Sequence, residues 1–257
     1  MQQQSIADLE AQFHAARSAN HPSVVLEGFH AIKHAMRFGV VPSLVVSPDP
    51  VAIDALATEL APDIRDKLHH LVTEISHRDL VRLAPHAPSS PIIAIGPRHR
   101  ADLAAMLLAN DQQHIVMLED PRHTGNVGAV IRVAAAAGAA GVATIGDLDP
   151  WSSPVLRGAA GLHYAIKVAS IANVQEVRAL PVHHRPLVAL DPQGIDLQRG
   201  AIPRDAVLVF GTERHGLSEE LRDAADMAVR LPMRAGVSSL NLATAVSATL
   251  FMLQAPR

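Results

Sequence analysis

Leu208-Val209-Phe210-Gly211-Thr212-Glu213-Arg214-His215-Gly216-Leu217 and, further on, Leu231-Pro232-Met233-Arg234-Ala235-Gly236-Val237-Ser238-Ser239-Leu240-Asn241-Leu242 decide how this chain folds. Each stretch is an apolar strand pattern running into a loop of glycines and small polar residues. The second opens directly onto an alanine-rich helix pattern over 243–253. Open α/β sheets bind ligands where strand carboxyl ends meet helix amino ends, because unpaired backbone N–H groups there are ready donors. Two such edges close in sequence predict one shared pocket. A third edge lies upstream: Glu119-Asp120-Pro121-Arg122-His123-Thr124-Gly125-Asn126-Val127-Gly128, then Arg132. Gly125 and Gly128 permit close backbone approach there.

Outward from these loops, strand and helix patterns alternate. In the second half strands are predicted over 115–118, 142–145, 165–169, 187–190, 207–210 and 227–231. Helices are predicted over 129–137, 153–160, 174–180 and 218–225. This is the pattern of a parallel α/β domain. The first half reads as a smaller α/β sandwich. Its helices are predicted over 5–18, 29–38, 52–60 and 77–83, and its strands over 23–29, 43–47, 70–75 and 92–95. Pro85, Pro88 and Pro91 break the chain before the last of these strands, and 101–109 reads as a linker helix.

Composition narrows the possible functions. The chain has 257 residues, 49% of them hydrophobic, and no cysteine, which removes disulfides, thiolate metal sites and cysteine nucleophiles. The longest apolar run, 133–145, is shorter than the roughly 20 residues a membrane span needs, and the amino terminus has no signal-peptide pattern. A soluble, cytoplasmic protein without membrane or metal partners is expected. The 15 histidines show no metal-ligand spacing. Net charge is −3; residues 1–112 carry 9 Lys and Arg against 12 Asp and Glu, and residues 113–257 carry 13 of each. Neither half is a basic domain that grips phosphate non-specifically. With only 3% aromatics, a base-stacking platform is not expected either. Any RNA must be held by a local patch, summed over a dimer.

Taken in order, the three loops resemble the motifs of the SpoU (TrmH-like) RNA 2′-O-ribose methyltransferases, a family of the knotted SPOUT class. The resemblance is strong from about Ile115 onward and looser before it. It implies a knotted (trefoil) parallel-sheet domain over residues 109–257. It also implies a small L30e-like RNA substrate-binding domain with its linker helix over residues 1–108, where Val24-Val25-Leu26-Glu27-Gly28 supplies the matching turn. It implies S-adenosyl-L-methionine (SAM) as cofactor and methyl transfer to a ribose 2′-hydroxyl of rRNA or tRNA. It further implies a homodimer through the carboxyl-terminal domain, with the final helix as a seam. Carried over position by position, the catalytic set is Asn126, Arg132, Glu213, Ser239 and Asn241. The cofactor set is Gly211, Leu231, Met233 and Leu240, with Leu190 on a further wall.

The same residues have plainer readings. Asn126 suits a helix N-cap, and Ser238 or Ser239 suits the cap of the last helix with Asn241 in its first turn. Arg132 sits among Val130, Ile131, Val133 and Ala134, so solvated surface is not its obvious destination, and a guanidinium in an apolar setting needs an anionic partner, such as an RNA phosphate. Two other classes compete with the enzyme. A non-catalytic L30e-type RNA-binding protein would have no need of Asn126, Arg132, Glu213, Ser239 and Asn241 together. A nicotinamide oxidoreductase would need G-x-G-x-x-G, which Gly125-Asn126-Val127-Gly128 is not, although Asp147 lies at about the right distance beyond it.

Overall fold

A computed structural model describes residues 5–84, 86, 88–179, 185–198, 200–212, 215–237 and 239–254, with backbone alone at Arg178 and Ala179. It divides into two compact units. The first comprises the chain up to His99 together with Trp151–Ala165; the second comprises Arg100–Pro150 and everything from Ile166 onward.

The chain opens with α1 (Ile6–Ala16), β1 (Ser23–Glu27), α2 (Phe29–Arg37), β2 (Leu44–Ser47), α3 (Pro50–Leu60), α4 (Arg65–Leu71), β3 (Val72–Glu74), α5 (His77–Leu83) and β4 (Ile93–Pro97). Local chemistry sets several starts. Ser5 and Asp8 form a reciprocal capping box on α1, Asp49 caps α3 with Pro50 at its first position, and Ser76 caps α5. The strands form one sheet in the order β1-β4-β2-β3. β4 runs antiparallel to both neighbours and β3 parallel to β2. Phe13, Val25, Val46 and Ile93 lie at the centre of its core. Residues 70–75, expected as a strand, divide: α4 runs through Leu71 and buries Leu68, leaving three residues of β3 on the sheet edge. Asp66 in its first turn and His69 and His70 in its last complement the helix dipole, a signal that the alternating Leu71-Val72-Thr73 pattern masked.

The second unit follows with α6 (Leu103–Leu108), β5 (Ile115–Glu119), α7 (Thr124–Ala136) and β6 (Gly141–Ile145). The chain then enters the first unit for α8 (Ser153–Gly158) and a 3-10 turn (Leu162–Tyr164). There Gly161 (φ +75°) lies against α2 so closely that a Cβ would fall 2.4 Å from the Ala31 carbonyl oxygen. The remaining elements are β7 (Lys167–Ile171), α9 (Val174–Ala179), β8 (Leu187–Asp196), β9 (Val207–Phe210), α10 (Glu219–Ala224), β10 (Met227–Arg230) and α11 (Leu242–Gln254). Their sheet, β10-β8-β9-β5-β6-β7, is parallel at every pairing. β5, β6 and β9 are buried throughout, which is why they read as unbroken apolar runs rather than as alternation. Among the described residues no helix is long and apolar enough to cross a membrane.

Arg185, at the entrance to β8, is 2% exposed. Its guanidinium donates to the carbonyls of Leu107, Ala109, Gln113 and Asp205 and to the Asp111 carboxylate. It thereby closes the α6–β5 connection onto the sheet. Arg185→Met would strip these acceptors of their buried donor, and a loss of about 3 kcal/mol is expected in denaturant titration; a shift below about 1 kcal/mol would contradict it.

Two histidines make stability pH-dependent. Burial pushes His34 below its ordinary 6.5, helped by Lys33, His30 and Arg37 and opposed by the Ala160 carbonyl, 2.7 Å from Nδ1. Burial likewise lowers His114, whose Nε2 is enclosed without a hydrogen-bond partner among the described residues. The unfolded chain therefore takes up these protons more readily. Stability is full above the unfolded value of 6.5 and falls as pH drops below it. Melting temperatures across this range should show the decline, and His114→Asn should flatten it; an unchanged slope would count against the assignment.

Candidate active site

The carboxyl ends of the parallel strands carry the three loops. Between β8, β9, β10 and the start of α11 lies a cleft of about 560 Å³. One wall comes from an irregularity in β8: Val188 and Ala189 pair with Met227 and Ala228, but the next residues of β10 pair with Ile195 and Asp196. Residues 190–194 thus have no partner on β10, although Leu190 still pairs with Phe210 of β9, and Leu190, Asp191, Pro192 and Gln193 line the cleft. Asp191 is held in its turn by the Gln193 N–H, 2.8 Å from Oδ1. At the floor, Gly211 leaves no room for a side chain: a Cβ would sit 2.1 Å from the Gly216 carbonyl carbon and 2.2 Å from the Leu217 nitrogen. Thr212 and Gly216 close the loop by exchanging two backbone hydrogen bonds of 3.0 Å. Leu231, Met233, Ser239 and Leu240 form the opposite side.

All five residues expected at the cofactor, Leu190, Gly211, Leu231, Met233 and Leu240, line this one cleft, and Ser239 joins them. β8 runs on to Asp196, past the expected end at 190. The first motif is arranged differently from expectation. α7 begins at Thr124, five residues before the expected start at 129, so His123 holds the N-cap position and Asn126 lies inside the first turn. The glycines that suggested a loop are accommodated within the helix, where Gly128 is buried. The side chain of Asn126 accepts a hydrogen bond of 3.0 Å from Nδ2 of Asn241. Asn241 is itself the cap of α11, its Oδ1 accepting from the N–H groups of Ala243 and Thr244, a role expected of Ser238 or Ser239. The first and third motifs therefore meet through two amides, one at each helix start.

Arg132 is exposed, contrary to what its apolar neighbours in sequence suggested, and makes no hydrogen bond or ion pair with another described residue. Helical geometry explains this: Val130, Ile131 and Ala134 take the buried face of α7 and the arginine falls on the other. It does not line the cleft. Glu213 and Ser238 lie outside the described residues, as do His183 and His184. His215 lines the cleft. Among the described residues no cluster of His, Asp or Glu is arranged to hold a metal ion.

The sequence reading missed Glu119 and Arg222. Glu119, a residue 7% exposed, ends β5, and its Oε2 accepts the Ser218 N–H at 2.8 Å. A carboxylate closing an apolar strand was the available signal. Arg222 donates from Nε and Nη2 to the Leu217 carbonyl.

The fold and its strand-end cleft define an α/β methyltransferase architecture of the SPOUT type. The structure superposes on the crystal structure of the SpoU methyltransferase AviRb from Streptomyces viridochromogenes in complex with AdoMet, with a TM-score of 0.76 at 21% identity, covering 95% of each chain. The model of the SpoU rRNA methylase family matches residues 113–251, and the chain belongs to that family. Among its relatives, the 23S rRNA (guanosine-2'-O-)-methyltransferase RlmB of Acinetobacter baylyi is 28% identical over 193 residues, 73% of this chain and 74% of that protein. The 23S rRNA (uridine(2479)-2'-O)-methyltransferase of Streptomyces viridochromogenes is 33% identical over 144 residues, 53% of this chain and half the length of that protein.

Proposed function

We propose that the protein is an RNA 2′-O-ribose methyltransferase that uses SAM and acts on rRNA or tRNA in the cytoplasm. The observation that carries this reading is the convergence of the second and third motif loops on one cleft, with the first motif joined to it through Asn126 and Asn241. The cleft suits SAM. Its volume lies within the range of small-molecule sites, and Leu190, Phe210, Leu231, Met233 and Leu240 offer apolar surface for an adenine among backbone polar groups. Bound there, SAM supplies a methyl group already activated by its sulfonium.

The protein's task is then alignment more than covalent help. Main chain at Gly211, Leu231 and Leu240 holds the adenosine part. Ser239, Asn241 and Asn126 lie toward the transfer centre, and Glu213 belongs to the same set. Arg132 clamps the RNA phosphate and lowers the pKa of the 2′-hydroxyl electrostatically. A guanidinium stays protonated in proteins, so the proton leaves through a neighbouring oxygen or water. Since Arg132 is exposed and outside the cleft of its own chain, a second copy of the protein brings it to the reaction. The exposed apolar side chains Val237, Leu240 and Phe251 offer the face for that homodimer. Two further parts of this reading are a trefoil knot around α11 and an L30e-like RNA-binding role for the β1–α2 turn, with the chain dividing functionally near residues 108 and 109.

Calorimetry with SAM and with its demethylated product, against NADH as control, tests the cofactor. Ribose-methylation mapping across stable RNAs with and without the protein tests the reaction, and sedimentation tests the dimer. Heat with SAM and one lost methylation mark are expected; no heat with SAM or with its demethylated product would end this reading.

A further inference from the structure

We propose that Glu119 and Arg222 are positioning residues that grip one peptide unit, Leu217–Ser218, from its two ends and so hold the cleft in working shape. The inference rests on the reading of that cleft as the methyl-donor site. The N–H of this unit donates to Glu119 Oε2 at 2.8 Å. Its carbonyl accepts from Arg222 Nε at 3.1 Å and from Nη2 at 2.8 Å. The brace continues: Arg222 Nε lies 3.6 Å from Asp191 Oδ2, and Asp191 Oδ1 takes the Gln193 N–H. One polar chain thus runs from the end of β5, through Arg222, which itself lines the cleft, to the wall made by residues 190–194. It links three segments distant in sequence at the places where each turns into the cleft.

Physical chemistry argues that this is more than packing. Removing a carboxylate from water is costly, and Glu119 is 7% exposed at the end of an apolar strand. Charge-assisted hydrogen bonds are the strong ones, and this one meets a donor at a helix start, where N–H groups lack intrahelical partners. The gripped unit abuts Gly211, where not even a methyl group fits, so a shift of Leu217 is passed directly to the cleft floor. A donor methyl and its acceptor tolerate little misplacement.

Three variants test this: Glu119→Leu, which removes the acceptor; Glu119→Gln, whose amide oxygen can still accept; and Arg222→Met, which keeps the aliphatic stem. Each is assayed well below its melting temperature for SAM affinity, kcat and KM for RNA. Glu119→Leu should weaken SAM binding and lower kcat by about tenfold to hundredfold, the worth of a charge-assisted hydrogen bond, with KM for RNA unchanged within about twofold. Glu119→Gln should recover most of both losses. Arg222→Met should show the same signature. Combined with Glu119→Leu it should cost less than the product of the single effects, because both release the same peptide. A folded Glu119→Leu with a lowered melting temperature but unaltered SAM affinity and kcat overturns the inference. If that variant does not fold, hydrogen exchange at Leu217 and Ser218 in Arg222→Met decides, because Arg222 also lines the cleft and SAM affinity alone does not separate the brace from a direct contact. Failure of the parent protein to bind SAM would instead sink the cleft's assignment. The brace would then be judged by hydrogen exchange at Gly216, Leu217 and Ser218, where unchanged protection in Arg222→Met refutes it.

Discussion

Arg132→Lys is expected to keep RNA affinity within a few-fold while kcat falls about a hundredfold, and Arg132→Ala to fall further, the scale of losing an electrostatic contact made at the reacting centre. A lysine retains the charge but not the planar fork that meets two phosphate oxygens at once. Arg132 is exposed and has no hydrogen-bond or ion-pair partner among the described residues, so its loss should leave the melting temperature unchanged. Activity lost without stability lost is the signature of a group kept for a ligand. Single-turnover methylation with thermal melts of the same samples reads both quantities. Wild-type turnover in Arg132→Lys would remove this residue from the mechanism.

Gly211→Ala should abolish measurable SAM binding, a loss of at least about a hundredfold, and cost about 1–3 kcal/mol of stability through overpacking. The added Cβ would lie 2.1 Å from one backbone atom and 2.2 Å from another. Neither is the end of a flexible side chain, so the Thr212–Gly216 closure has to open. Gly211 lies on the cleft floor, and opening that closure moves the main chain meant to hold the adenosine. Calorimetry and denaturant titration measure the two losses. Full SAM affinity in a folded Gly211→Ala would show that the loop is not part of the donor site.

The two variants probe different features. At Arg132 the side chain matters and the backbone is an ordinary helix. At Gly211 the absence of a side chain matters, because another stretch of backbone occupies the space. Together with the Leu217–Ser218 brace they describe a site that depends mainly on main-chain placement. This accords with a reaction whose electrophile arrives already activated.

The buried strands and the two strand-to-loop edges at Gly211 and Leu231 were legible in the sequence, and the resemblance to the SpoU family pointed to the five residues that line the cleft. Apolar runs ending in glycine and small polar residues leave a parallel sheet few other solutions. Other features depended on the tertiary structure. Asn126 reads as a cap in isolation, and only the approach of α11 to α7 brings its amide to Asn241, whose own capping of α11 is local. The exit of residues 190–194 from the ladder with β10 follows from the register of that pairing, which no local pattern encodes. Glu119 and Ser218 meet across 99 residues, and Trp151–Ala165 joins the unit built from the first part of the chain. Periodicity and turn chemistry act between near neighbours, so the sequence by itself determined the elements, their order and the loops that matter. Burial, register and the pairing of buried charge are settled only when distant segments compete for the same space, so the folded chain decided which amide, carboxylate and guanidinium hold the site.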